Sequence, residues 1–338
     1  MGNGHVLIVG ADGYIGSVLT GVLAKAGYDI SGIDTGYYSD QSLYSPNDTT
    51  IMKKDVRLVT IKDLVGVDAI ICLSDLNDPT SSAYPEQTKS INLQGLMSLA
   101  NKCKQAGVRR FLYASSASVY GFAGDENMSE NSKLNPLTPY AECKIAIEKH
   151  LLSISDDNFR VACMRNATVY GLSPHMRFDL VINYLCGSAI ADNIVRLKSD
   201  GSAWRPFVHI NDLAEAFLSI LRLPDKTFSN LIVNVGNGYT GNHRVADIAQ
   251  IISQATGCPV EISLNNKDAR SYRLNTDKLE SLGIACTRDL HKEIEVMVKF
   301  LRDIELDTHL LHNDSFHRTD RIRNLLESGQ VDNELYWR

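Results

Sequence analysis

The residues with the most chemical potential in this chain are a tyrosine and a lysine four places apart, Tyr140 and Lys144, in the stretch NPLTPYAECKIAIEK. On a helix, that spacing puts an aromatic hydroxyl and an ammonium on one face. The pair reads either as a proton-transferring device or as ordinary helix surface, and the spacing alone does not choose. Pro139 suits the first turn of such a helix and Thr138 suits its cap, so the helix should begin at the pair. Other residues bear on the choice. Gly10, Gly13 and Gly16, in VGADGYIGS, stand between an apolar run and an amphipathic segment. Glycine there lets the backbone turn sharply and approach a pyrophosphate resting on a helix N-terminus. The alternative is a purely structural turn. Asp34 closes the next apolar run, where a carboxylate accepts both hydroxyls of an adenosine ribose and repels a 2′-phosphate. Thr35, Gly36, Tyr37 and Tyr38 follow without a basic residue, so the expected cofactor is NAD rather than NADP. Asp55, in KKDVR, could reach the adenine amino group or stand as a solvated loop acid.

These residues need elements to position them. HVLIV (5–9) is strand-like, GYIGSVLTGVLAKAG (13–27) reads as a helix stopped by Gly27, and YDISGID (28–34) as a second strand. Further strands are expected at 50–53, 67–73, 108–114 and 159–165, with long helices at 86–106 and 138–155. Strands alternating with helical patterns predict a parallel sheet covered on both faces. Beyond 165 the alternation loosens, leaving a strand at 231–236, a helix at 244–257 and one short helix near 319–328 in a polar tail. The serines of LYASSASVYG follow the fifth strand directly, at the carboxyl edge where ligands of such sheets lie.

Composition narrows the function classes. At 338 residues, with 44% hydrophobic and 22% charged residues, the chain reads as an ordinary globular protein with a large core. A net charge of −6 argues against a general nucleic-acid binder, though not against a few arginines gathered on a small anion. No apolar run of about 18 residues suggests a membrane span, and the strand at residue 5 leaves no room for a signal peptide. The seven cysteines are scattered without a C-x-x-C pair, which suggests reduced thiols and a cytoplasmic setting. Cys143 lies inside the Tyr140–Lys144 motif, where an inert helix cysteine is the simpler reading. No His/Cys/Asp cluster has metal-ligand spacing, so no metal is expected.

In order and spacing, GADGYIGS, SSASVYG, NPLTPYAECK, RNATVYG and WRPFVHINDLAEAF resemble the extended short-chain dehydrogenase/reductases of the nucleotide-sugar epimerase/dehydratase type. The likeness runs from residue 5 to about residue 300. It implies an α/β fold, a Rossmann-type doubly wound parallel sheet with a smaller C-terminal substrate-binding α/β portion. The division expected is 1–170 for NAD with the catalytic residues, 171–305 mainly for substrate with segments returning to the first domain, and 306–338 as a tail. By resemblance, Ser116, Tyr140 and Lys144 match the catalytic Ser/Thr, Tyr and Lys. Tyr14, Ile15, Val56, Leu73 and Asn92 join Gly10, Gly13, Gly16, Asp34, Asp55, Tyr140 and Lys144 as cofactor-binding positions. Thr168, Arg177, Arg205 and Arg270 join Ser116 as substrate-binding ones, the arginines suiting a diphosphate through paired guanidinium donors. His209 is expected to anchor its strand. The helices at 86–106 and 138–155 resemble a pair that forms a four-helix interface, implying a homodimer.

The chemistry explains the residue types. Tyrosine titrates at about pH 10, too high for a base at neutrality, and a nearby ammonium and a positive nicotinamide ring are expected to lower it. Tyr140 would then take a proton from a sugar hydroxyl while the carbon gives up hydride, and Ser116 would steady the emerging ketone. Epimers, 4,6-dehydration and loss of CO2 from a uronic acid share that opening oxidation. Dehydratases of this resemblance follow the catalytic Ser/Thr with Asp-Glu, and the decarboxylases carry Glu two places after it. Here Ala117 and Ser118 follow Ser116, which favours a 4-epimerase and leaves open an acid supplied from elsewhere. Thr168 stands where the family often has Asn, and the following Ser-Pro-His-Met-Arg resembles a subgroup acting on modified sugars of bacterial glycans or natural products. Some of that subgroup oxidise or reduce C4, so an NAD(P)-dependent C4 oxidase/ketoreductase or a dehydratase of a nucleotide-activated sugar is the alternative. A non-catalytic nucleotide sensor is a third reading, and such proteins usually lose the tyrosine or lysine kept here.

Overall fold

Among residues 4–263 and 270–338, which the computed structural model describes, seven short runs pair into one parallel sheet. They are β1 (His5–Val9), β2 (Asp29–Asp34), β3 (Ile51–Lys53), β4 (Ala69–Cys72), β5 (Arg110–Ser116), β6 (Arg160–Asn166) and β7 (Leu231–Val235). Their order is β3-β2-β1-β4-β5-β6-β7. Val6 of β1 lies beside Ile30 of β2 and Ala69 of β4, so the strand order reverses at β1. The crevice at such a reversal, outside the carboxyl ends of the strands, is where a doubly wound sheet takes its ligand. The central strands have apolar middles because helices cover both faces. All four residues of β4 (AIIC) are buried, and separate apolar clusters fill the space on either side.

Local sequence explains where the helices begin and end. Helix α1 (Gly16–Lys25) starts three residues later than its apolar pattern suggests, because the glycine-rich turn occupies the residues before it. Helix α2 (Leu96–Ala106) buries Leu96, Leu99, Ala100 and Cys103 on one stripe and stops at Gly107, whose φ of +83° favours glycine. The single long helix expected at 86–106 is instead a short turn of helix (Pro85–Thr88), a widened π stretch (Lys89–Gly95) and α2. Such widening shifts the side-chain phase, often for a specific placement; here it brings Asn92 to the loop after β4. Helix α3 (Pro139–Ile154) begins as its sequence suggests, with Pro139 at the first position and the Thr138 hydroxyl accepting from the Ala141 N–H.

Past β6 the chain builds a smaller lobe. Strand Trp204–His209 runs parallel to Thr168–Tyr170 and antiparallel to Asn242–Arg244. Helices α4 (Val181–Ala191), α5 (Ile210–Leu221), α6 (Val245–Thr256) and α7 (Leu290–Asp303) pack around it. The His209 ring caps α5 by accepting from the Asn211 N–H, a structural task that matches its expected anchoring. Residues 308–316 stay packed on α4, and from Arg318 the chain, carrying α8 (Arg318–Glu327), crosses to the loop after β2, where Arg321 donates to the Tyr37 carbonyl and Trp337 to the Thr35 carbonyl. No helix among the described residues is long and apolar enough to cross a membrane.

One buried ion pair ties α3 to the sheet. Arg165 on β6 donates through Nε (3.0 Å) and Nη2 (2.7 Å) to the two carboxylate oxygens of Glu148, one turn beyond Lys144 on α3. Both side chains are under 5% exposed, and the Ser115 and Tyr120 hydroxyls complete the network. Removing one partner strands the other charge away from water. Arg165→Met should therefore lower stability by about 3–5 kcal/mol, read as a fall in the urea midpoint; a midpoint within experimental error of the parent would show that the pair does not hold α3.

Candidate active site

The cleft lies where β1 and β4 end, with a volume of about 630 Å³. Its floor at one end is the turn from β1 into α1. Gly10 has φ +91°, and a Cβ there would come within 2.9 Å of the Ser74 backbone nitrogen. A Cβ on Gly16 would fall 2.2 Å from the Gly10 carbonyl oxygen. The turn leaves no room for a side chain at Gly10 or Gly16, and the first turn of α1, which has no side-chain cap, lines the cleft. Tyr14, Ile15, Val56 and Leu73 line it as expected. Asp34 ends β2 beside them, its Oδ2 accepting from the Asp12 N–H (3.1 Å) and its Oδ1 from the Gly36 N–H (2.9 Å). Burial pushes this carboxyl up, against the Gly36 and Asp12 N–H groups. A closed glycine cradle, an uncapped helix start and a strand-end carboxylate fit a dinucleotide.

Two expected cofactor positions do other work here. Asn92 does not line the cleft: its amide receives the Leu76 N–H (2.7 Å) and donates to the Leu76 carbonyl (2.8 Å), pinning the loop after β4. Asp55 lines the cleft, but its carboxylate is gripped on both oxygens by Arg57, at 2.9 and 2.7 Å, and caps the short turn Val56–Leu58. Tyr14 spends its hydroxyl on the Gly171 carbonyl (2.7 Å), joining the two lobes.

At the other end, β5 delivers Ser116 and α3 delivers Tyr140, both lining the cleft. Lys144 lies one turn behind Tyr140, 2% exposed, donating to the Ala114 carbonyl at 2.5 Å. Its ammonium is 5.1 Å from the centre of the Tyr140 ring. It also meets a residue that the motifs did not flag: Asp75, whose Oδ2 is 2.7 Å from Nζ. Burial works against the Lys144 charge, but Asp75, with Tyr113 and Tyr140, outweighs it and holds the ammonium well above the ordinary lysine range.

In the protein without NAD, burial and that partner set Tyr140 above its ordinary value, opposite to the lowering expected from Lys144. Burial, then the negative charge of Asp75, pushes the phenol up to about 12, against the lowering by Lys144 and by the nearby Ser116 hydroxyl. The ammonium expected to favour phenolate is already balanced by a carboxylate. Asp75 could have been suspected from its place three residues past the end of β4, at the ligand edge of the sheet. Cys143 is buried and its thiol is raised by burial, the inert reading of that residue.

The third wall comes from the smaller lobe. Thr168, Arg177, Arg205 and Arg270 all line the cleft. Arg177 is bidentate to Asp179 (3.0 and 2.8 Å). Arg205, 5% exposed, donates to the carbonyls of Trp204 and Arg270, and Arg270 stands 3.8 Å from Asp78. Two cleft residues escaped sequence reasoning: Ser118 Oγ and Asn166 Oδ1 are buried with no hydrogen-bond partner among the described residues. Unpaired buried polar atoms are costly, which suits them to a polar ligand that the cleft takes in.

The sequence profile of the NAD dependent epimerase/dehydratase family matches residues 6–236. The chain is 28% identical over 316 residues to a UDP-glucose 4-epimerase of Mycolicibacterium smegmatis, covering 88% of this chain and 99% of that one. Among solved structures it is similar to MoeE5 in complex with UDP-glucuronic acid and NAD, at 27% identity, TM-score 0.78, and 89% and 99% coverage. TunA, an NAD-dependent NDP-hexosamine 5,6-dehydratase of tunicamycin biosynthesis, shares the fold at 22% identity and TM-score 0.77, covering 88% of this chain and 97% of TunA.

Proposed function

This chain belongs to the NAD dependent epimerase/dehydratase family, and on that footing we propose that it is a nucleotide-sugar 4-epimerase working through a transient 4-keto sugar. The observation that carries the reading is Ser116 and Tyr140 lining one end of a cleft that Asp34 and the glycine turn share, with the Lys144 ammonium 5.1 Å from the centre of the Tyr140 ring. NAD is the cofactor and, when bound, supplies a reversible hydride acceptor and a positive ring charge beside Tyr140. The Tyr140 oxygen takes the proton from the sugar O4 hydroxyl, and Ser116 donates to the same oxygen as it becomes a carbonyl. Lys144 favours the phenolate electrostatically and would also hold a ribose hydroxyl. Arg205 and Arg270, with Arg177, face the nucleotide diphosphate, while Ser118 and Asn166 meet sugar hydroxyls. Residues 1–170 then serve NAD and chemistry, 171–305 mainly the nucleotide sugar, and 306–338 close the cofactor end. Helices α2 and α3 would pair across a homodimer.

The relatives' names support a UDP-sugar as the first substrate to try. Incubation with UDP-glucose and other nucleotide sugars, followed by NMR, should show interconversion of C4 epimers. The near-ultraviolet band of reduced nicotinamide should not accumulate, since the hydride returns to the substrate. Steady accumulation would overturn epimerisation in favour of net C4 oxidation. Asp75 favours one second reading. A carboxylate beside the Ser116–Tyr140 pair is an acid supplied from elsewhere, so loss of water from the substrate, detected by mass spectrometry, would instead make the enzyme a dehydratase.

A further inference from the structure

Arg318 is the first residue of α8, far from every motif above, yet its side chain lines the cleft. It is 4% exposed. Its guanidinium donates to the carbonyls of Ser315 (3.3 Å) and His175 (3.4 Å) and lies over the Tyr38 ring at 3.9 Å. Among the described residues, no carboxylate comes within ion-pair distance of it. Burial disfavours its charge, Arg177 repels it, and Tyr38, Asp179 and Asp34 offset these only in part. A helix start also gives a cation no dipole stabilisation. Two long bonds to carbonyls are a poor exchange for the water this guanidinium has lost.

Its position indicates what would complete it. His175, whose carbonyl it holds, reaches with its ring to Asp12 of the glycine turn (2.8 Å). Tyr38, beneath the guanidinium, belongs to the segment that follows Asp34. The cation therefore lines the same cleft as the glycine turn and the start of α1, within electrostatic reach of Asp12 and Asp34. We propose that Arg318 is a binding residue for the diphosphate of the dinucleotide, so that the C-terminal segment supplies one wall of the cofactor site. This rests on the NAD reading above. The N–H groups at the start of α1 and the Arg318 guanidinium would hold the diphosphate together, the guanidinium supplying charge-assisted hydrogen bonds.

Contacts made by the same segment hold that wall in place. Arg321 donates to the Tyr37 carbonyl (2.8 Å) and pairs with Asp40. Trp337 Nε1 donates to the Thr35 carbonyl (2.7 Å), and Arg57 donates to the Glu334 carbonyl (2.8 Å). These anchors do not need Arg318, which allows its charge to be tested apart from the fold of the segment.

The test is calorimetric titration of nucleotide-free protein with ADP, UDP and adenosine. Arg318→Met keeps an apolar stem on Tyr38 and removes the charge. ADP affinity should fall about 10–100-fold, adenosine affinity should hold within about twofold, and Arg318→Lys should recover part of the loss. Equal loss for ADP and adenosine would overturn the proposal and make Arg318 a purely structural clasp. Loss confined to UDP would also overturn it, moving the cation to the substrate's diphosphate. If the parent protein bound neither ADP nor NAD, the cofactor reading itself would fail, an outcome distinct from an intact parent affinity that the variant retains.

Discussion

Tyr140→Phe should lower kcat by about 10²–10⁴-fold, the range expected when a positioned proton-transfer group is lost. The substitution removes one oxygen and leaves the ring beside Lys144, so NAD and substrate affinities should change only a few-fold. Turnover close to that of the parent would remove Tyr140 as the base. The pH dependence is a second signature. Burial and Asp75 hold the phenol up to about 12 in the protein alone, and the phenolate is the form that takes the proton. Activity limited by this group should rise with pH from neutrality into the alkaline range, and Tyr140→Phe should flatten that rise. The positive nicotinamide ring acts in the opposite sense, so the limb should lie at lower pH for the cofactor-loaded enzyme than for the free phenol.

Lys144→Met is expected to cost nearly as much, about 10²-fold or more in kcat/KM, by breaking a buried pair on one side. The carboxylate of Asp75, 2.7 Å from the lost ammonium, would then face Tyr140 unopposed. The phenol loses the cation that favours its anion and keeps the anion that disfavours it, so the alkaline limb moves to higher pH. Asp75→Asn has the opposite sign. It removes a charge that raises Tyr140, and the limb moves to lower pH, while Lys144 loses the partner that keeps its pKa high. The double variant should recover stability relative to Lys144→Met alone, because no unpaired charge is left buried. Additive losses in that cycle would show that the two side chains act independently.

Much of this was legible in short stretches of sequence, for a physical reason. Gly10, Gly16 and Asp34 are fixed by backbone conformation and strand ends, which local pattern records. The same holds for Thr138 and Pro139 at the start of α3, and for the strands at His5–Val9 and Arg160–Asn166. What escaped depends on pairing across the chain. Lys144 and Asp75 are 69 positions apart, by subtraction, and nothing near either residue announces the other. The short spacing of Asp55 and Arg57 was visible, yet only the fold shows the carboxylate gripped by its neighbour. Asn92 was legible as a polar residue on a helical stretch, but the widened turn that aims it at Leu76 has no period to read. Arg318 lies in a polar tail that looks inert until β2 and the glycine turn are set beside it.

The crossing of residues 318–338 to the loop after β2 has a consequence for how the protein is made. The Tyr37 hydroxyl bonds to the Leu335 carbonyl across 298 positions, and Trp337 reaches Thr35 across 302. On a ribosome, β1, β2 and the glycine turn emerge long before those partners exist. The sheet can pair while synthesis continues, but the side of the groove nearest the ribose stays exposed to water until Arg318 to Trp337 have left the exit tunnel. Such very long-range contacts are the slowest to close. With Arg318 in the proposed role, a nascent chain stalled before residue 306 would carry the glycine turn, Asp34 and Tyr140 and still hold the cofactor weakly.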